Sequence, residues 1–277
     1  WQVYPDGAQI ELSTGYHQVT LGSTTGMMTL ARLNEIALPA DFLQTVERMY
    51  QFNMMMAAPD LTLPGLGDAD PLDARGWLAG APGFYPQRED FLYLASGRTQ
   101  GKPPAATSWA LPHAGYYVMR TGWEAADRYL LFDAGPFGYG HQHEDMLHFV
   151  LFSDGHWHLV DPGNYAYDDS PMRQYVKSAR GHNTVLVDGL EQNRRPIHEE
   201  VALAREPLPH EWHTDEVCDY SAGLYKYGFG PEGAVRVRHE RAVFFLKPEY
   251  WVIFDRLQPE DHAEHRYEAL FHIDDEV

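Results

Sequence analysis

The spacing of apolar residues over the first hundred positions predicts helices. From Ser13 onward, apolar side chains recur every three to four residues, which is the period of one helix face. A second such run opens at Pro39-Ala40-Asp41, and a short third helix is predicted from Arg88 to Ala95. The stretch from Leu61 to Gly83 is rich in Pro, Gly and Asp and predicts a long loop.

The pattern changes after a linker at Gly97 to Thr107, and the rest of the chain predicts β-strands. Short apolar runs alternate with turn residues, which is typical of an antiparallel sandwich. Lys247-Pro248-Glu249 predicts a hairpin turn. The predicted strands are Tyr116–Arg120, Tyr129–Asp133, Leu147–Phe152, Trp157–Val160, Thr184–Val187, Val217–Tyr225, Val235–Arg241, Ala242–Leu246, Tyr250–Phe254 and His265–Ile273. We therefore predict an α+β chain, with a helical domain at residues 1–104 and an antiparallel β-sandwich at residues 105–277.

Composition and charge narrow the function classes. The 277 residues, 44% of them hydrophobic, are ample for a buried core. Forty acidic against 21 basic residues give a formal charge of −19, which argues against a general nucleic-acid binder but not against an anionic small substrate in a local basic pocket. No apolar run approaches transmembrane length, so no membrane insertion is expected. The single cysteine, Cys218, excludes an internal disulfide.

Both ends of the sequence suggest a longer protein. The chain starts at Trp1 without an initiator methionine, and it stops around Leu270–Asp274, inside what reads as a strand. No signal peptide is visible in these residues. We expect both ends to have been cut from a longer chain.

The most distinctive stretch carries two histidines one residue apart. His141 and His143 follow the glycine-rich turn Gly138-Tyr139-Gly140 and precede an alternating apolar run. If the backbone there is extended, both imidazoles point to the same side. Glycine at such a place lets a ligand or another chain approach closely. The pattern predicts a site at the mouth of a strand.

Two later β segments add further metal-ligand types. Asp161 and His182, together with His143, supply two imidazole nitrogens and a carboxylate oxygen, the donors of a zinc site with room for a fourth ligand. These residues come from separate segments, so their spacing is uninformative, and ordinary edge histidines with a turn aspartate explain them equally well. A cupin-like metal-dependent oxidoreductase also uses His-x-His on a strand, but the expected Glu is replaced by Met146-Leu147-His148. The helical His-Glu-x-x-His and Gly-x-Ser-x-Gly motifs do not occur.

Several motifs in the same order resemble the heparinase II/III-type polysaccharide lyases, a group that includes heparin and heparan sulfate lyases and related alginate lyases. The matching stretches are Gly140–Leu147, Leu159–Gly163, Tyr175–Ser178, His182–Gly189, and Asp6–His17 with its DG-x-x-x-E-x-S-x-x-Y-H pattern. The resemblance implies an α/α toroid followed by an antiparallel β-sandwich, with residues 1–104 as the end of the toroid. It also implies a periplasmic or secreted location and a fold that commonly forms homodimers.

The resemblance further implies β-elimination at a uronic acid of an anionic polysaccharide. A base removes the C5 proton, the C6 carboxylate is neutralised, and an acid protonates the departing O4. The family's catalytic tyrosine falls on Tyr16, and its catalytic histidine on His141. Its metal ligands fall on His143, Asp161 and His182, where they would hold a structural zinc or another divalent metal. The family's carboxylate-neutralising Asn or His has no clear match and is expected to lie upstream of Trp1.

Four residues near the last two metal-ligand positions are candidate substrate contacts. They are Tyr167, Arg173, Tyr175 and Arg180, of which the arginines suit a sugar carboxylate. A solvated loop is the alternative, more so for Arg173 than for Arg180. A polysaccharide lyase is therefore the leading hypothesis. The alternatives are a non-catalytic, zinc-stabilised glycan-binding fragment and a cupin-like oxidoreductase.

Overall fold

The first two predicted helices are present and pack together. The computed structural model describes residues 2–195 and 202–274. Helix α1 spans Thr14–Leu33 and helix α2 spans Ala40–Met56. Their buried apolar side chains, which belong to one core, are Leu21, Met28, Val46, Met49, Tyr50, Phe52, Met54, Met55 and Met56. Both helices agree with the prediction to within a residue or two.

The stretch from Leu61 to Gly83 holds short regular elements, so its prediction as one long loop was wrong. Strand β1 (Thr62–Leu63) pairs with β2 (Leu72–Asp73), and helices α3 (Ala74–Leu78) and α4 (Ala81–Phe84) follow. These elements are too short to show a period and are stabilised by burial in the helical core. Helix α5, at Glu89–Ala95, confirms the third predicted helix.

A five-stranded antiparallel sheet forms the middle layer of the molecule. Its strands run in chain order: β3 (Trp109–Leu111), β4 (Tyr116–Arg120), β5 (Tyr129–Asp133), β6 (His148–Ser153) and β7 (His156–Leu159). Every residue of β4 and β5 is buried. Alternate side chains explain this, because Val118 and Leu131 enter the helical core while Met119 and Leu130 enter a second core.

A four-stranded antiparallel sheet covers the other side of that second core. Its order is β12 (Tyr250–Pro259), β11 (Val237–Leu246), β10 (Cys218–Tyr225) and β9 (Glu211–Thr214). Helix α6 is Pro171–Val176, and β8 (Val185–Val187) pairs with β13 (Tyr267–Ala269). The antiparallel, β-rich second part of the chain is thus confirmed, whereas the toroid and the boundary at residue 104 stay predictions.

Two strand predictions need correction. The segments Val235–Arg241 and Ala242–Leu246 form one continuous strand, β11, because it pairs along its whole length with β12. The strand predicted from His265 to Ile273 is only three residues long, with an isolated bridge between Leu159 and Ile273. None of the helices in the described ranges is long and apolar enough to cross a membrane.

Candidate active site

Tyr16 and His141 lie face to face. Tyr16 belongs to the first turn of α1, and its ring stacks on the imidazole of His141 with centroids 3.4 Å apart and planes inclined by 12°. The turn that carries His141 is tied to the loop before β2, because the backbone N–H of Asp68 donates to the carbonyl of His141 over 3.1 Å. Gly67 permits this approach, since a Cβ there would lie 2.8 Å from the same carbonyl oxygen.

The sequence predicted an extended backbone with His141 and His143 on the same side of a strand. This prediction was wrong. The backbone of His141 has a φ of +56°, and the preceding Gly138 and Gly140 also have positive φ. The next strand, β6, begins only at His148. The left-handed backbone at His141 sends the two imidazoles apart. The side chain of His141 is 31% exposed, whereas that of His143 is fully buried. The cupin-like reading, in which both histidines bind one metal, loses its geometric basis.

Glu11 is a site residue that the sequence reasoning did not single out. Its carboxylate accepts a close hydrogen bond from Nδ1 of His141. Gln9 orients that carboxylate, because its amide donates to Glu11 Oε1 over 3.0 Å. A carboxylate at Nδ1 places the imidazole proton there and leaves Nε2 for another partner. The only signal in the sequence was the position of Glu11 within the motif that contains Tyr16.

Tyr167 completes the surroundings of Tyr16. The two hydroxyl groups are 2.8 Å apart, although the Tyr167 residue is 61% exposed. Desolvation and the hydrogen bond to Tyr16 raise the pKa of Tyr167 above its ordinary value. Tyr167 therefore keeps its proton and can donate it in a hydrogen bond to the oxygen of Tyr16.

His143, Asp161 and His182 converge in the interior. Their ligand atoms all lie within 4.8 Å of one another. Nδ1 of His143 is 3.3 Å from Nε2 of His182, which in turn lies 3.6 Å from Oδ2 of Asp161. The three segments that the sequence placed far apart therefore meet at one point, as the metal prediction requires.

The partners of each imidazole show which nitrogen has a free lone pair. Nε2 of His143 donates to Asp68 Oδ1 over 2.9 Å, so its Nδ1 is unprotonated. Nδ1 of His182 donates to the Ser178 carbonyl over 2.8 Å, so its Nε2 is unprotonated. Two lone pairs then face each other beside Asp161 Oδ2, which accepts no hydrogen bond of good geometry although Nε2 of His148 lies 3.2 Å away. This donor set fits a divalent cation and is poorly satisfied without one.

His148 lies beside the cluster but has the other tautomer. Its Nδ1 accepts the backbone N–H of Asn183 over 2.9 Å, so its proton lies on Nε2, 3.2 Å from Asp161 Oδ2. A protonated nitrogen cannot bind a metal, and we assign His148 to the support of Asp161. His148 lies near the cluster because it is the first residue of β6. No motif in the sequence indicated this position.

The protonation states of the cluster at neutral pH suit a cation. Burial lowers the pKa of His182 to about 4, which keeps the imidazole neutral. Burial acts to raise the pKa of Asp161, but the neighbouring His182 and His148 lower it to about 2. A neutral imidazole and an ionised carboxylate are the forms that a metal needs.

Arg173 was predicted as a substrate contact, but it is only 4% exposed. Its guanidinium pairs with Asp68 over 2.6 Å and donates to Asn164 over 2.9 Å. It also lies 5.0 Å from the ring centre of Tyr167. This burial argues against direct substrate contact. Arg173 instead connects Asp68, the partner of His143, to the tyrosine that contacts Tyr16.

Tyr175 and Arg180 are accessible but have other partners. The hydroxyl of Tyr175 lies 3.0 Å from Nε2 of His272, and Arg180 pairs with Glu191 over 2.7 Å. Among residues 2–195 and 202–274, no hydrogen bond or ring contact joins either side chain to Tyr16. Of the four predicted substrate contacts, the structure brings Tyr167 directly to Tyr16.

Arg241, on the second sheet, holds the loops of the metal cluster. Its buried guanidinium donates to the carbonyls of Leu147 and Asn183, at 2.7 and 2.5 Å, and pairs with Asp255 at 2.7 and 2.9 Å. Leu147 precedes His148, and Asn183 follows His182. The cluster is therefore fixed by both sheets of the sandwich.

Comparison with known proteins identifies the family of the chain. A family model described as heparinase II/III-like, C-terminal, matches residues 103–277, which is more than half of the chain. The chain belongs to the heparinase II/III-like family. A second model, the heparinase II/III N-terminus, matches residues 1–93.

Two relatives and one solved structure that are similar to this heparinase II/III-like chain are named as lyases. A heparin-sulfate lyase of Pedobacter heparinus is 29% identical over 267 residues, and one of Bacteroides stercoris is 26% identical over 274 residues. The crystal structure of a heparan sulfate lyase from Pedobacter heparinus superposes with a TM-score of 0.80 at 28% identity, over 94% of this chain. The chain spans 38% and 37% of the two curated relatives and 40% of the solved chain.

Proposed function

We propose that the full-length protein is a polysaccharide lyase that cleaves a uronic-acid-containing glycan by β-elimination. The observation that carries this proposal is the stack of Tyr16 on His141, with Glu11 beside the imidazole and Tyr167 beside the phenol. Two groups able to exchange protons thus share one partly exposed surface. Similarity to proteins named heparin-sulfate lyases supports the substrate class.

Tyr16 serves as base and then as acid in this mechanism. Its phenolate oxygen takes the C5 proton, the C–H electron pair forms the C4–C5 double bond, and the bond from C4 to the glycosidic oxygen breaks. The phenol then returns the proton to O4, so the reaction needs no water and no redox partner. The Tyr167 hydroxyl, 2.8 Å away, stabilises the phenolate by donating a hydrogen bond.

His141 assists through Nε2. Glu11 holds the proton on Nδ1, so that Nε2 can take the C5 proton of one substrate epimer. In its protonated form the same imidazole stabilises charge on the C6 carboxylate, and Glu11 stabilises the imidazolium. We expect the main carboxylate-neutralising residue outside these 277 positions.

A divalent metal, with zinc as the first choice, would be held by His143, Asp161 and His182. Its contribution is structural: it would join three chain segments and fix the turn that presents His141. Asp68 connects the candidate metal cluster to the turn that presents His141. Its side chain accepts a hydrogen bond from His143, and its backbone N–H donates to the carbonyl of His141.

The test is the near-ultraviolet absorbance of the unsaturated uronate product. Full-length protein is incubated separately with heparan sulfate, heparin, chondroitin sulfate, hyaluronan, alginate and bacterial exopolysaccharides. We expect an absorbance increase with at least one of these polymers. Binding of a uronate polymer without any increase would favour the non-catalytic glycan-binding alternative and overturn the proposal.

A further inference from the structure

A second group of metal-ligand types lies at the tip of the β9–β10 hairpin. The strands Glu211–Thr214 and Cys218–Tyr225 pair antiparallel, and the backbone N–H of Asp215 donates to the carbonyl of Cys218 over 3.0 Å. This closes a tight four-residue turn. His213, at the end of β9, lies beside that turn. None of these residues belongs to the cluster around His143.

Three different donor groups converge at this tip. Nε2 of His213 lies 3.0 Å from Oδ2 of Asp215. The ligand atoms of His213, Asp215 and Cys218 all lie within 4.8 Å of one another. The side chains of His213 and Asp215 are 56% and 48% exposed, so an ion can reach them from solvent.

The turn itself orients the carboxylate. Oδ1 of Asp215 accepts the backbone N–H groups of Val217 and Cys218, each over 2.8 Å. That oxygen is therefore engaged in the turn, whereas Oδ2 faces His213. The paired strands fix His213 and Cys218 relative to each other, which reduces the entropy that a bound ion would have to overcome.

We infer that the hairpin tip binds one divalent transition-metal ion of the zinc class through His213 Nε2, Asp215 Oδ2 and Cys218 Sγ. Imidazole and thiolate select zinc-like ions over calcium and magnesium, which prefer oxygen ligands. The two negative ligands balance the charge of the ion, and water fills the remaining position. The thiol proton is released to solvent when the Cys218 sulfur binds.

Proton release makes this site sensitive to pH. Binding turns the Cys218 thiol into a thiolate ligand, so one proton leaves the site with each ion that binds. The affinity for the ion rises with pH, because binding displaces that proton.

Cobalt(II) tests the inference directly in reduced full-length protein. The cluster of His143, Asp161 and His182 offers only nitrogen and oxygen, and Cys218 is the single cysteine of the 277 residues. We expect an intense thiolate-to-cobalt charge-transfer band that Cys218→Ser abolishes. We also expect zinc content to fall by one equivalent in that variant.

The matched variant Asp215→Asn distinguishes two roles of Asp215, as a metal ligand and as a residue that stabilises the turn. Asparagine keeps an oxygen that can accept the two backbone N–H groups, but it lacks the negative charge. We expect cobalt affinity at the thiolate band to fall at least ~10-fold, with an unchanged melting temperature in the absence of added metal. His213→Gln should act in the same way.

Two results would overturn the inference. One is the absence of any charge-transfer band that depends on Cys218 in wild-type protein with a reduced thiol. The other is a band of unchanged affinity in both Asp215→Asn and His213→Gln, which would mean that the thiol binds cobalt alone. Neither outcome depends on the lyase proposal, since no substrate is present.

Discussion

His141 and His143 lie two residues apart along the chain, yet their environments are opposite. His141 is partly exposed, stacks on a phenol and pairs with a carboxylate. His143 is fully buried and faces a second imidazole and Asp161. The left-handed backbone at His141 produces this separation within one short turn. A partly exposed candidate for substrate contact thus lies two residues from a fully buried candidate metal ligand.

The same division occurs on the helical side of the site. Tyr16 faces His141, while the next residue, His17, is buried with its ring 4.4 Å from that of Phe52. Consecutive residues on a helix point about 100° apart. One turn of α1 therefore supplies both the candidate catalytic residue Tyr16 and the core residue His17. In each pair the partly exposed residue, Tyr16 or His141, is the candidate for chemistry, and the buried residue, His17 or His143, is the candidate for support.

Replacement of the partly exposed Tyr16 has the largest expected effect. Tyr16→Phe keeps the ring that stacks on His141 but removes the oxygen that exchanges protons. We expect kcat to fall ~100- to 10,000-fold on the substrate identified by absorbance, with little change in melting temperature. Tyr250→Phe, at an exposed position on β12, is the control. Full activity of Tyr16→Phe would remove this residue from the mechanism.

Replacement of the buried imidazole should act on metal and stability. His143→Ala removes one lone pair of the cluster, and we expect loss of one equivalent of zinc. At metal concentrations near 1,000 times Kd, the lost binding amounts to about 4 kcal/mol of unfolding free energy. Metal analysis and urea denaturation measure both quantities.

A matched substitution tests the tautomer assignment in the same cluster. His148→Gln should retain the zinc equivalent, because its Nε2 carries a proton and is not a ligand. Full zinc content in His143→Ala, or its loss only in His148→Gln, would show that the ligand set is wrong.

Regular spacing predicted the two long helices, and the resemblance predicted the candidate site. Helices α1 and α2 and strand β10 follow from regular spacing, whereas the stretch from Leu61 to Gly83 folds through burial that leaves no period. The orientation of the His141 side chain depends on the left-handed backbone conformation of this residue, which a histidine in the sequence does not predict. Asp68 contacts His143 across 75 positions, and such a pairing exists only in the folded chain.

The smallest expected effect is the loss of unfolding free energy that His17, the buried neighbour of Tyr16, causes at acidic pH. Burial lowers the pKa of His17 to about 3, against about 6.5 in the unfolded chain. The unfolded state therefore binds one more proton between these values, so the contribution of His17 is intact above pH 6.5 and is lost as the pH falls towards 3. At pH 5 the loss is about 2 kcal/mol of unfolding free energy, from 1.36 kcal/mol per pH unit.

His17→Gln should make the change in unfolding free energy between pH 7 and pH 5 smaller by this amount in urea titrations, because the other buried histidines contribute equally to both proteins. His156→Gln, at an exposed position, is the control, and an unchanged pH dependence in His17→Gln would mean that His17 is not held neutral beneath the site.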